Sequence, residues 1–109
     1  MKRMGTVIGL RAEFSEQYLQ LHAAPWPAVL ETLRNCNIRN YVIYHHAGLL
    51  FAHLEYHGDD WAADQRKMAA DPTTQAWWKL TDPCQTRLPT AKDGEWWASM
   101  DEVFFLGER

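Results

Sequence analysis

Two runs of β-type residues, Ile38 to Tyr44 and Leu49 to Tyr56, are separated only by His45-His46-Ala47-Gly48. A parallel pair needs a crossover of a dozen or more residues, so so short a link, with a glycine free to turn left-handed, commits the two runs to an antiparallel hairpin. All-helical and all-parallel folds are thereby excluded.

The flanking segments organise around that hairpin. Met4 to Leu10 alternates Thr6, Ile8 and Leu10 with Val7 and two glycines, which predicts a first strand. From Ser15, placed to cap a helix, the period changes: Phe14, Tyr18, Leu21, His22 and Pro25 recur at three- and four-residue spacing. Pro25-Trp26-Pro27 ends that helix, and a second starts at Pro27 with Val29, Leu30 and Leu33 as its apolar stripe. Past the hairpin, Gly58-Asp59-Asp60 sets acidic residues at the positive end of a helix through Trp61, Met68 and Ala69 to Asp71-Pro72. Pro72 to about Leu80 continues helically and carries Trp77-Trp78. Pro83 to Gly94 reads as a loop, and Met100 to Leu106 as the last strand. The resulting order, β-α-β-β-α-β, is the split βαβ arrangement of ferredoxin-like α+β folds, a four-stranded antiparallel sheet with helices on one face. One domain over residues 1–109 accounts for the whole length. The other sheet face lacks a cover, which predicts a two-fold dimer with sheets facing one another, a ligand cavity, or both.

Charge excludes one class of partner. Eleven Lys+Arg against fourteen Asp+Glu give a net charge of −3, with no basic block to neutralise phosphates, so no nucleic acid is expected. The apolar run before Arg11 is too short for a signal-peptide core or a membrane span, which predicts a cytoplasmic protein with no membrane partner. Cys36 and Cys84, without a second ligand pair, read as reduced and structural. Six tryptophans exceed the demand of so small a core, and indole serves both interfaces and the apolar faces of ligands.

Four constellations could carry chemistry. Tyr18 and His22 stand one turn apart on a helix face, where imidazole exchanges protons near neutrality and a phenol positions a substrate oxygen; the bland alternative is a histidine lining the helix end. In Asn40-Tyr41-Val42-Ile43-Tyr44 the period of two sends Tyr41 and Ile43 to one face, and Val42 and Tyr44 to the other. Trp77 and Trp78 lie about 100° apart, so one can serve the core while the other lines a pocket as a platform for sugar C–H faces. The histidines His45, His46, His53 and His57 match no metal-ligand signature, so no metal site is expected.

Tyr18-Leu19-Gln20-Leu21-His22, Trp26-Pro27, Asn40 to Tyr44, Leu50 to Glu55, Trp77-Trp78-Lys79 and Glu102 to Leu106 form an ordered set that resembles the L-rhamnose mutarotase family over almost the whole chain. The resemblance implies a dimeric α/β barrel of ferredoxin-like subunits and an isomerase that interconverts the α and β anomers of a 6-deoxy-L-hexose without any cofactor. It implies His22 as proton donor and Tyr18, Tyr41, Trp77 and Trp78 as sugar-binding residues. His22 would then protonate the ring oxygen while Tyr18 or Tyr41 steers the anomeric hydroxyl; Glu55, Glu102 or a water could take the second proton. The chain departs from the family after His22, where no polar residue follows, and after Trp78, where no methionine follows. L-fucose or another 6-deoxy sugar is therefore an alternative substrate. A monooxygenase or a non-catalytic small-molecule binder would keep the same fold.

Overall fold

The computed structural model describes residues 1–108. The central hairpin forms as expected. β2 (Ile38–His46) and β3 (Leu49–Tyr56) pair antiparallel through the two-residue turn Ala47-Gly48, whose φ angles of 52° and 76° are those of a type I′ turn. β1 (Lys2–Leu10) pairs antiparallel with β3 along eight positions, from Lys2 opposite Tyr56 to Gly9 opposite Leu49.

The fourth strand differs from the expectation. It comes in two pieces, β4 (Gln85–Thr86) and β5 (Ala98–Met100), both antiparallel to β1. Leu10 faces Gln85 and Gly9 faces Thr86, but two residues earlier Val7 faces Ala98, so the chain makes an eleven-residue excursion, residues 87–97, before rejoining the same strand. The apolar run Val103 to Leu106, predicted as strand, lies outside it and is exposed. The partners it would have needed, Gly5 to Val7, are already paired with Ala98 to Met100. Arg3 holds this tail instead, through two guanidinium bonds to the Glu102 carboxylate (2.8 and 3.0 Å) and a position 3.5 Å above the Phe105 ring. Gly9 is required where β4 crosses β1, because a Cβ there would stand 2.5 Å from Thr86 Cγ2. The sheet order β2-β3-β1-β4/β5 is that of the split βαβ fold.

Among the described residues there are four α-helices: α1 (Ser15–Ala23), α2 (Pro27–Asn35), α3 (Trp61–Ala70) and α4 (Pro72–Thr81). Ser15 does not cap α1. A 3-10 turn at Ala12–Phe14 leads into the helix, and the Ser15 hydroxyl donates back to the Ala12 carbonyl. Asp60 and Asp71 are the true caps, accepting the amide protons of Ala63 and Thr74 for α3 and α4. Pro27 opens α2, where its missing N–H costs nothing.

The core lies on one sheet face. Ile8, Leu10 and Leu50 point to the same side, meet Tyr18 from α1 and Cys84, and are flanked by Ile43 and Trp97. Full burial of Ile8 or Leu50 contributes about 1.5–3 kcal/mol each. On the opposite side Val7, Phe51, Val42 and Tyr44 alternate with these core positions and are only partly covered, Tyr44 being 64 % exposed. Both cysteines are free and buried.

Candidate active site

α1 brings Tyr18 and His22 onto one face, and their rings stack with centroids 4.1 Å apart and planes 26° from parallel. The His22 ring also meets Trp77 from α4 edge-on at 5.4 Å, and Trp77 in turn meets Trp26 at 5.2 Å. Because Trp26 sits in the break between α1 and α2, the Pro25-Trp26-Pro27 signal serves the site as well as ending the helix.

The state of His22 follows from its surroundings. Its Nδ1 lies 2.9 Å from the Tyr18 carbonyl oxygen, and a carbonyl can only accept, so Nδ1 carries the proton and Nε2 carries the lone pair. Burial pushes the imidazole pKa below its ordinary value, with the carbonyl contact pulling partly the other way. A neutral base with a free Nε2 results.

Tyr18 is 2 % exposed, and burial, then the nearness of Tyr41, drives its pKa far above the ordinary phenol value. Its hydroxyl accepts from Gln85 Nε2 at 3.4 Å. Tyr41 is 40 % exposed, yet the mass of protein around its hydroxyl pushes its pKa up to about 12. It reaches this neighbourhood through a bulge. Asn40, at φ 50°, and Tyr41 together oppose one residue of β3, and the register slips by one between Arg39 and Val42. Tyr41 and Ile43 then share the core-facing side, while Tyr44 points away.

Among the residues expected at the site, His22 stacks on Tyr18 and meets Trp77 edge-on, and Tyr41 lies near enough to Tyr18 to raise its pKa. Trp78, rotated about 100° from buried Trp77, is half-buried. Two expected carboxylates do not belong here. Glu55 lies on the opposite sheet face, where it accepts from Asn40 and pairs with His57 at 3.0 Å; Glu102 is held by Arg3, whose position in β1 is on that same face. A hollow of about 170 Å³ lined by Leu30, Leu33, Arg34, Ile38, Asn40 and Tyr41 opens beside Tyr41. A larger one, about 370 Å³, lies at Thr32, Lys67 and Asp71, but the Asp71 carboxylate is occupied in capping α4 and binding Thr32 and Thr74. Its chemistry is structural. Gln85 was missed in the sequence because it falls within Pro83 to Gly94, a stretch that reads as loop; its partner Trp96 lies just beyond that stretch.

A sequence model of a family described as L-rhamnose mutarotase matches residues 3–106. The chain belongs to the L-rhamnose mutarotase family. It is 34 % identical to the L-rhamnose mutarotase of Bacillus subtilis (strain 168), covering 97 % of this chain and 99 % of that protein. It is 31 % identical to that of Lactiplantibacillus plantarum, with the same coverage of both. Among solved structures, the crystal structure of an L-rhamnose mutarotase from Formosa agariphila superposes with a TM-score of 0.76 at 20 % identity, covering 98 % of this chain and all of that one. Tetracenomycin F2 cyclase from Streptomyces glaucescens, a type-II polyketide cyclase, superposes with a TM-score of 0.70 at 16 % identity over all of both chains. These two likenesses show the fold, and the second marks how far chemistry diverges on it. Membership of the mutarotase family rests on the sequence.

Proposed function

We propose that this chain is an isomerase that interconverts the α and β anomers of L-rhamnose, with His22 as the proton-transfer residue. The observation that carries the reading is the Tyr18–His22 stack, in which Nδ1 is fixed by a backbone carbonyl and Nε2 is left as a free base. Mutarotation opens a hemiacetal: the anomeric hydroxyl loses a proton as the C1–O5 bond breaks, and the ring oxygen gains one. Rotation about C1–C2 and the reverse transfers close the ring on its other face. A neutral His22 takes the anomeric proton at Nε2 and returns it on closure, so in this proposal it enters as a base, whereas the resemblance implied a proton donor. The ring oxygen takes its proton from solvent through a water that it faces, because neither Glu55 nor Glu102 shares this face and burial keeps the phenols of Tyr18 and Tyr41 from ionising. High pKa values keep Tyr18 and Tyr41 protonated, as hydrogen-bond donors to sugar oxygens. Trp77 and Trp78 supply indole surface for the ring's C–H face.

The working unit in this proposal is a homodimer in which residues 1–109 of each copy form one domain and the partly covered faces around Val7, Phe51 and Tyr44 meet. No helix among the described residues is long and apolar enough to cross a membrane. A cytoplasmic setting suits the two free, buried cysteines. Saturation-transfer NMR on L-rhamnose and L-fucose tests reaction and substrate together. Anomer exchange should rise with protein concentration on L-rhamnose, and exchange no faster than in buffer on every 6-deoxy sugar would refute the activity.

A further inference from the structure

Gln85 is the first residue of β4, the short strand that precedes the eleven-residue excursion, and it is 4 % exposed. Both ends of its amide are engaged. Oε1 accepts from the Trp96 indole Nε1 at 2.7 Å, and Nε2 donates to the Tyr18 hydroxyl oxygen at 3.4 Å. An indole nitrogen has a proton to give and no lone pair to offer, so the group facing it must be an acceptor. Trp96 therefore settles which end of the amide is oxygen. The NH2 end is then the one that faces Tyr18, and Tyr18 must accept there. A phenol that accepts from one side keeps its own proton for another partner.

We propose that Gln85, locked by Trp96, is a positioning residue that fixes Tyr18 as a hydrogen-bond donor to the sugar. Polarity propagates in one direction through three side chains, from indole N–H to amide oxygen, from amide N–H to phenol oxygen, and from phenol O–H to substrate. The excursion between β4 and β5 brings Trp96 back over Gln85, so a piece of chain that adds nothing to the sheet supplies the first donor. With the Gln85 amide turned over, its oxygen would face Tyr18 and draw the phenol proton away from the sugar. The inference rests on the mutarotase reading for its substrate, whereas the orientation stands on the hydrogen bonds alone.

Gln85→Glu tests the direction with little change of shape. An ionised carboxylate still accepts from Trp96, but its other oxygen can only accept the Tyr18 proton. Anomer exchange on L-rhamnose at saturating sugar should fall about tenfold, the size of one hydrogen bond made in the transition state. In a Tyr18→Phe background the same change should cost less than about twofold, because there is no phenol left to orient. Gln85→Met, neutral and of similar length, serves as the second variant if the buried carboxylate impairs folding, and the same non-additivity is expected of it. Independently of activity, the ¹H–¹⁵N signal of the Trp96 indole should move upfield in Gln85→Met, and the Gln85 carboxamide signals should shift in Tyr18→Phe. Equal losses in the wild-type and Tyr18→Phe backgrounds, or unmoved signals, overturn the proposal and leave the mutarotase reading intact. A wild-type protein without anomer exchange but with both spectral shifts overturns that reading and leaves the orientation standing.

Discussion

Replacing His22 separates its two jobs, because the ring is both a packing element and the proposed base. His22→Ala removes a stacked contact with Tyr18, an edge contact with Trp77 and the bond to the Tyr18 carbonyl. At about 0.5–1.5 kcal/mol for each aromatic pair and a similar amount for the hydrogen bond, the loss is about 1.5–4.5 kcal/mol. For a domain of this size each kcal/mol moves Tm by about 4 °C, so His22→Ala should melt about 6–18 °C lower. His22→Phe keeps a ring between Tyr18 and Trp77 and gives up only the hydrogen bond, so its Tm should fall by no more than about 6 °C. Both variants lose Nε2. General acid–base catalysis contributes on the order of 10²–10⁴-fold, or about 2.7–5.5 kcal/mol of barrier, and His22→Phe should lose that much anomer exchange while remaining folded. The assay pairs saturation-transfer rates with thermal melts followed by circular dichroism. His22→Phe protein that melts within about 6 °C of wild type and keeps more than half its exchange rate would show that the proton moves elsewhere.

Four further outcomes are expected. Since burial holds the His22 pKa below its usual value, the imidazole stays a free base through neutrality, and the exchange rate should be level there and fall only below the ordinary histidine pKa of about 6.5. Stability follows the same sign: it is full above the unfolded-state pKa and declines as pH drops from there through the folded-state value, where the unfolded chain binds more protons; His22→Phe should flatten that part of a Tm-against-pH curve. Asp60→Ala removes the acceptor for the Ala63 amide and should cost about 1 kcal/mol, seen as a Tm about 4 °C lower with an unchanged exchange rate. Phe51→Glu puts a charge on the partly covered sheet face and should give monomers by sedimentation at concentrations where wild type is a dimer; a wild-type monomer would contradict the proposed assembly.

Local rules made most of the frame legible. The four-residue link set the hairpin, Pro27 set the start of α2, and Gly58-Asp59-Asp60 and Asp71-Pro72 marked the two ends of α3. Pairing competition escaped such rules. Val103 to Leu106 has better strand chemistry than Ala98 to Met100, yet the latter hold β1, and a two-residue strand such as β4 has no period to detect. At the site, helical spacing juxtaposed Tyr18 and His22, but distance in sequence hid the edge-on contact of Trp26 with Trp77. Glu55 and Glu102 were named for their chemistry, and only the alternation of β1 and β3 shows that they face away. Gln85 stayed invisible because its meaning depends on two partners, at 67 and 11 positions along the chain.

The slip at Asn40-Tyr41 and the interruption between β4 and β5 fall on the two outermost strands of the sheet. An outermost strand with free amides and carbonyls in a regular row is a template on which another chain can add, and unlimited addition leads to fibres. Here one margin is kinked by an extra residue and the other is broken into pieces of two and three residues. Neither offers a straight row. Open-ended stacking of copies along either edge of the sheet is thereby disfavoured, which leaves the proposed face-to-face pair as the closed alternative, so irregularities that bring Tyr41 and Trp96 toward the candidate site also limit growth along the sheet.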